Sequence, residues 1–200
     1  MLIYIIQLKK WNATYNLTAI NNIKDIIEYH IIDSLQVTPY LKGFKEILDV
    51  GTGAGLPGIV SAINNPDIKL TLIDKSKKKI SFLKHVCYEL NLSTDKIRCI
   101  HERINPNQKL HNNDNTFDAI ISRAVTQIEP FVNLTKTLLK DNGHIFLMKA
   151  KKEIIETETE FFINNSSTSK YKWSLNSIQL PKLINGEQRH LIEIYKNKSK

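Results

Sequence analysis

Apolar positions recur at helical spacing through the first forty residues and then change to short continuous runs. Leu2, Ile5, Ile6, Leu8 and Trp11 follow a helical period. Ile23, Ile26, Ile27, His30, Ile31, Ser34 and Leu35 form one stripe of a second helical stretch from about 23 to 41. Beyond Glu46 the runs are those of buried strands. Ile47–Val50 stops at a glycine cluster, 69–74 (KLTLID) is a second strand, 96–104 a third and 117–122 (FDAIIS) a fourth. Between them, Ile80, Leu83, Val86, Cys87 and Leu90 mark a helix over 77–92, and 128–139 reads as another. Gly143 reads as the stop of that helix, with a fifth strand over 144–149. The pattern predicts polar loops at 105–115 and 164–170, a helix over 154–162, and strands at 173–180 and 190–195.

Strands alternating with helices of this length predict an α/β fold, doubly wound, with a mostly parallel sheet of seven strands. The last two strands, joined without a helix, are expected as an antiparallel hairpin at one edge. The chain is expected as a single domain over 1–200, with a helical cap (1–43) on an α/β core (44–200).

Composition agrees with a globular domain: 42% of residues are hydrophobic and 24% charged. No apolar run reaches the roughly 20 residues of a membrane span, and the apolar start is followed, not preceded, by lysines. Membrane and secreted readings are set aside on these grounds. A cytoplasmic protein with two reduced, buried thiols at Cys87 and Cys99 is expected, and a monomer. The N-x-S/T triplets at Asn12, Asn16, Asn91 and Asn133 are then chance matches in an Asn-rich chain. Twenty-eight basic against twenty acidic residues leave a formal charge of +8, which suits a polyanionic partner such as nucleic acid. No metal site is expected.

The candidate chemistry starts at Asp49-Val-Gly51-Thr-Gly53-Ala-Gly55-Leu56-Pro57-Gly58, between the first strand and a helix. Glycines there admit positive φ and let the backbone approach a ligand. Pro57 suits a first helical turn. G-x-G-x-x-G is present only as Gly53–Gly58, three positions late for a dinucleotide turn. The Asp49-x-Gly51-x-Gly53-x-Gly55 register instead resembles motif I of class I methyltransferases, which bind S-adenosylmethionine. Asp74, ending the second strand, is placed to accept ribose hydroxyls or to cap the helix that follows.

More of the chain agrees than a glycine loop explains. Trp11-Asn12, Asn16-Leu17-Thr18, His30 with Asp33-Ser34-Leu35, GTGAGLPG (51–58), Ser122-Arg123-Ala124, Lys149 and Arg189-His190-Leu191 stand in order. Together they resemble the bacterial 16S ribosomal RNA guanine-N7 methyltransferase family, RsmG/GidB, from about Leu8 to Tyr195. The resemblance implies methyl transfer from S-adenosylmethionine to N7 of one guanine of the small-subunit RNA. It implies that Gly51 and Leu56 line the cofactor, that Ile104 and Asn105 sit by its adenine and that Arg123 closes the site; Gly53, Gly55 and Asp74 join them as cofactor candidates from the glycine-loop reading. Two positions depart from the family pattern: Asn105, where many members are acidic, and Ala150, where a glycine is common.

Guanine N7 carries a free lone pair, so its methylation needs no general base. Rate comes from holding N7 in line with the methyl carbon, an orientation effect of roughly 7–11 kcal/mol. No obligate catalytic residue is therefore named; Arg123 and Lys149 are positioning candidates. N7 lies on an edge that A-form helices bury in a narrow groove, so the target guanine is expected unstacked. His30, Asp33, Lys149 and Arg189 are candidates for the substrate side, although His30, Asp33 and Ser34 fit equally a buried network pinning the cap. Trp11 is read as core, not as an RNA-stacking platform. The rival readings are a nicotinamide-linked dehydrogenase, a non-enzymatic RNA-binding protein, and a methyltransferase with another RNA or a non-RNA acceptor.

Overall fold

The computed structural model describes residues 1–106, 110, 116–123, 127–150, 152–166 and 173–196. Most of the loop expected at 105–115, residues 167–170 of the loop expected at 164–170, and Ala124 lie outside the described residues. Contacts divide the chain into two compact units, Met1–Arg103 and Ile104–Lys200.

The first unit opens with α1 (Leu2–Tyr15), which ends where Asn16 turns left-handed (φ 49°) and returns its N–H to the Asn12 carbonyl. Asn22 caps α2 (Ile23–Ile26) by accepting the Lys24 N–H. The helical stretch then widens to a π-turn over Ile27–Ile32, tightens to α3 (Asp33–Leu35) and ends as a 3-10 turn over Thr38–Leu41. One expected helix is thus one stretch that changes pitch three times. Next come β1 (Glu46–Val50), α4 (Gly58–Asn64), β2 (Lys69–Asp74), α5 (Lys77–Glu89) and β3 (Ile97–His101). β2 pairs in parallel with β1 and with β3, which makes two consecutive βαβ units. Ile47–Val50 and Leu70–Asp74 are buried at every position, as parallel strands covered on both faces require. Tyr4 and Leu8 of α1 are fully buried, and Trp11 packs its ring 5.7 Å from Phe82 and 5.2 Å from His85 of α5. Trp11 is a packing residue.

The second unit holds β4 (Phe117–Arg123), α6 (Ile128–Thr135), β5 (Leu139–Lys149), α7 (Lys152–Ser166), β6 (Trp173–Gln179) and β7 (His190–Lys196). β4 and β5 are parallel; β7 runs antiparallel to both β5 and β6. Two boundaries correct the sequence expectations. The helix predicted to Leu139 stops at Thr135, and Gly143 lies inside β5 instead of ending a helix. Sheet pairing overrides helical propensity here. The N–H groups of Thr116 and Phe117 both donate to Leu138 O at 3.1 Å, so the sheet begins before the predicted helix would end. The register then slips from Phe117↔Leu139 to Ala119↔His144, leaving an irregularity at Lys140–Gly143. A Cβ on Gly143 would come within 3.0 Å of the Asp118 carbonyl, so the two backbones lie close. The second correction is α7, which continues through residues expected as loop to Ser166. The seven-stranded sheet runs β3-β2-β1 in the first unit, all parallel, and β4-β5-β7-β6 in the second, parallel between β4 and β5 and antiparallel around the terminal hairpin. Among the described residues no helix is long and apolar enough to cross a membrane.

Candidate active site

The glycine loop leaves β1 at its carboxyl end, the edge at which open α/β sheets bind ligands. Gly51, Gly53 and Gly55 all have positive φ (67°, 60° and 95°). The two later ones serve different purposes. A Cβ on Gly55 would lie 2.6 Å from Ile59 and 2.7 Å from Leu83, so this glycine lets the loop pack on its own core. A Cβ on Gly53 would meet nothing nearer than 3.9 Å, at Gly51 O and Lys79 Nζ. Gly53 thus has room for a Cβ with only ordinary contacts at 3.9 Å, so its backbone can be approached closely by a ligand.

Two carboxylates shape the loop. Asp49, fully buried, accepts the Thr52 hydroxyl at 2.7 Å and the Gly58 N–H at 2.9 Å through Oδ2, tying the start of the loop to the start of α4. Asp74 accepts the Gly53 N–H through Oδ2 at 3.0 Å and the Ser76 N–H through Oδ1 at 2.8 Å. Asp74 does not itself cap α5: Ser76 holds the N-cap, and Asp74, three residues before the helix, accepts the Ser76 N–H in an Asx-type turn. Each Asp74 oxygen keeps a second lone pair, which leaves ribose hydroxyls an acceptor. Pro57 occupies the cap position of α4, one place before the first turn expected for it, after a cis Leu56–Pro57 bond. The Tyr4 hydroxyl donates to Ala54 O at 2.8 Å, so α1 braces the loop from fifty residues away. Sequence alone offered no signal for Tyr4 or Thr52.

Leu56 is buried beside these glycines, so Gly51, Gly53, Gly55, Leu56 and Asp74 come together. Ile104 and Asn105 open the second unit, the first buried and the second exposed. Arg123 closes β4, half-buried and paired in register with Met148.

His30, Asp33 and Ser34 are all buried. His30 shares a 2.8 Å hydrogen bond with the Thr18 hydroxyl, and Asn12 accepts the Thr18 N–H at 2.8 Å. The Ser34 hydroxyl finds no hydrogen-bond partner among the described residues. His30 is thus bonded to the α1–α2 connection, which supports a pinning role.

Lys149 ends β5 opposite His190 and forms a 2.7 Å ion pair with Glu158 of α7, both side chains only 12% exposed. The same Glu158 oxygen accepts the Ile128 N–H at 3.3 Å, at the start of α6. Glu158 sits in an acidic helical run, ETETE, that reads as a solvated face; nothing in the pattern marks it. Arg189 Nη1 pairs with Glu187 at 2.8 Å, and Asn185 with Arg189 holds the Glu187 carboxyl below its ordinary range. Cys87 and Cys99, from α5 and β3, are free and adjacent; Cys87 is buried as expected, whereas Cys99 is only half-buried. Cys87 hydrogen-bonds to Cys99, which together with burial pushes its thiol pKa up. The same bond pulls Cys99 down, with the Lys84 charge acting in the same direction.

Solved structures share this architecture. The chain superimposes on TYW2 of P. horikoshii in complex with MeSAdo with a TM-score of 0.64 at 15% identity, over 85% of this chain and 63% of that one. It superimposes on a SAM dependent methyltransferase from Aquifex aeolicus with a TM-score of 0.61 at 18% identity, over 85% and 92%. At such identities these matches establish the fold alone. Sequence comparison goes further. Ribosomal RNA small subunit methyltransferase G of Chromobacterium violaceum is 41% identical over 73% of this chain and 67% of its own. The Legionella pneumophila (strain Corby) protein of the same name is 41% identical over 76% and 69%. The family model described as rRNA small subunit methyltransferase G matches residues 1–192, which include the glycine loop, Asp74, Lys149 and Arg189. By that match and those identities, the chain belongs to the rRNA small subunit methyltransferase G (GidB) family.

Proposed function

We propose that this enzyme methylates N7 of one guanine in 16S ribosomal RNA, with S-adenosylmethionine bound on the glycine loop of the first unit. The carrying observation is the Asp74–Gly53 tie beside a glycine that no atom crowds closer than 3.9 Å. The loop backbone fits a ligand that approaches main chain closely, and the remaining Asp74 lone pairs fit ribose hydroxyls. Gly51 and Gly53 hold the cofactor by backbone approach, Leu56 gives it an apolar wall, and Asp74 fixes its sugar. The bound cofactor supplies an electrophilic methyl group. The protein's task is to present N7 to it in line.

No residue has to remove a proton, because N7 offers its lone pair directly. The buried Lys149–Glu158 pair joins the end of β5 to α7, and the Glu158 bond to Ile128 N ties in the start of α6. That supports a positioning role for Lys149. Arg123 is proposed as a second positioning group. His30 and Asp33 are proposed to stiffen the cap and not to touch RNA. The enzyme is proposed to act as a monomer in the cytoplasm.

The test is methyl transfer from labelled S-adenosylmethionine to 16S RNA and to 30S subunits, followed by mapping of the modified atom. Label at a single guanine N7 is expected. Label at another atom or in another RNA overturns the acceptor assignment while keeping the cofactor.

A further inference from the structure

A cavity of about 170 Å³ opens between α6 and α7, with Gln127, Ile128, Glu129, Pro130, Glu158 and Phe161 in its lining. It is smaller than the roughly 300–1,000 Å³ of cofactor-sized pockets, so it suits a single ring system. Its position is informative. α6 starts just beyond the carboxyl end of β4, and Glu158 reaches the last residue of β5. Ligands of open α/β sheets bind at that edge.

The lining has the chemistry of a base site. Phe161 is 57% exposed, a large aromatic ring left in water beside a cavity. Bases stack on such rings. Pro130 adds an apolar wall, and two acidic residues, Glu129 and Glu158, line the same small space. Lys149 and the Ile128 N–H occupy Oε2 of Glu158, which orients the carboxylate and leaves Oε1 its lone pairs. Carboxylates only accept hydrogen bonds. Among the four RNA bases, guanine alone presents two adjacent donors, N1–H and the 2-amino group, on its Watson–Crick edge. Adenine places its N1 lone pair there, which a carboxylate repels. A grip on the Watson–Crick edge also leaves N7, on the opposite side of the purine, uncovered.

We propose that the cavity between α6 and α7 binds an unstacked guanine of the RNA, with Phe161 stacked on the base and the Glu158 and Glu129 carboxylates accepting its N1–H and 2-amino hydrogens. The proposal rests on the reading that the substrate is RNA. The guanine is either the methylated one or a neighbour that anchors the strand; both present the same edge.

Two measurements test it. In the first, the full-length nitrogen-15-labelled protein is titrated with guanosine monophosphate and with adenosine monophosphate while amide shifts are followed. The guanine nucleotide is expected to move amides at 127–131 and 157–161, and the adenine nucleotide to leave them in place. Phe161→Ala and Glu129→Gln each weaken guanine binding about tenfold, the scale of one stacked base. Ile154→Ala, also on α7 but outside the cavity lining, leaves it unchanged. In the second, the same variants are assayed for methyl transfer to RNA. A higher KM with normal kcat marks a neighbouring base, and a fall in kcat as well marks the target base. Equal shifts with both nucleotides, no shifts at these amides, or variants with unaltered guanine binding and KM overturn the proposal. If wild-type protein methylates guanine N7 yet binds no guanine nucleotide here, the subsite alone fails. If guanine binds here but no RNA is methylated, the proposed function fails instead.

Discussion

Asp74 holds Gly53: its Oδ2 accepts the glycine N–H at 3.0 Å, so the end of β2 sets the conformation of the loop that leaves β1. With its other oxygen on Ser76 N, one carboxylate fixes both the ligand loop and the start of α5. Its structural role and its proposed ligand-binding role are inseparable in a simple deletion.

Asp74→Ala is therefore expected to lower both cofactor affinity and stability. Hydrogen bonds to a charged group contribute about 1.5–3 kcal/mol each, and 1 kcal/mol shifts Tm by about 2–4 °C in a domain of this size. Calorimetry with S-adenosylmethionine and a thermal scan check both. Normal affinity with a lower Tm would leave Asp74 only its structural task.

The glycines separate the same two effects. Gly55→Ala drives a Cβ to within 2.6 Å of Ile59 at φ 95°, and a clear loss of stability is expected. Gly53→Ala meets no atom nearer than 3.9 Å, so the protein is expected to stay folded, at a cost of about 1–2 kcal/mol for its left-handed φ. Its cofactor affinity is expected to fall at least tenfold, because the added methyl occupies the ligand's space. Unchanged binding by Gly53→Ala would remove the loop from the site.

How much of this was readable beforehand follows from where each signal lies. β1, the glycine loop and β2 were readable because doubly buried parallel strands are mainly apolar runs and positive φ selects glycine. The end of α6 was not. Residues 136–138 form a turn and Leu139 already opens β5, where the pairing of Leu138 O with Thr116 and Phe117 starts the sheet. Glu158 was hidden for another reason. Its partners, Lys149 and Ile128 N, lie nine and thirty residues away, and no local pattern encodes either contact. His30 was placed on a face with Asp33 and Ser34 by ideal helical spacing; the chain winds there as a π-turn, and His30 bonds Thr18.

The Lys149–Glu158 pair makes a prediction about positioning. Lys149→Ala strands the Glu158 carboxylate in a site 12% exposed, and removal of one partner from a buried pair costs about 3–5 kcal/mol. Replacing both, as Lys149→Met with Glu158→Leu, is expected to recover most of that stability. Methyl transfer is expected to stay low in the double variant, since both the positioned lysine and the Glu158 carboxylate proposed to hold guanine are missing. A double variant with full activity would reduce Lys149 to a packing residue.

The adjacent thiols differ in reactivity. The Cys87 hydrogen bond and the Lys84 charge lower the Cys99 pKa, so more Cys99 is thiolate at a given pH and it alkylates at lower pH than an ordinary thiol. Cys87, with its proton held, is expected to stay unmodified. Cys87→Ala removes the donor, raises the Cys99 pKa and slows its alkylation near pH 7. Iodoacetamide labelling against pH, read by mass spectrometry, checks the order; faster labelling of Cys87 contradicts it.

The last prediction concerns how the basic surplus meets RNA. Lys149 and Arg189 are committed to Glu158 and Glu187, so neither is a free contributor to phosphate neutralisation. Lys75, Lys77, Lys78 and Lys84 are different: the first three surround the start of α5 and the fourth lies on it, all four exposed. No acidic residue occupies the first turn of α5 to offset these cations, although a helix N-terminus already favours anions. If the four engage phosphates of largely single-stranded RNA, log K falls against log salt with a slope of about −3, since each contact releases about 0.7 counterion. Charge reversal at Lys75, Lys77 and Lys78 is expected to flatten that slope by about 2 and weaken RNA binding at low salt. The methylated base should not change, because phosphate contacts position the strand without reading it. Cofactor affinity should hold over the same salt range, since S-adenosylmethionine carries no phosphate. An unaltered slope in the triple variant would move the RNA footprint away from α5. An altered target base would mean that these lysines select the site, and that the division between steering charge and base recognition does not hold.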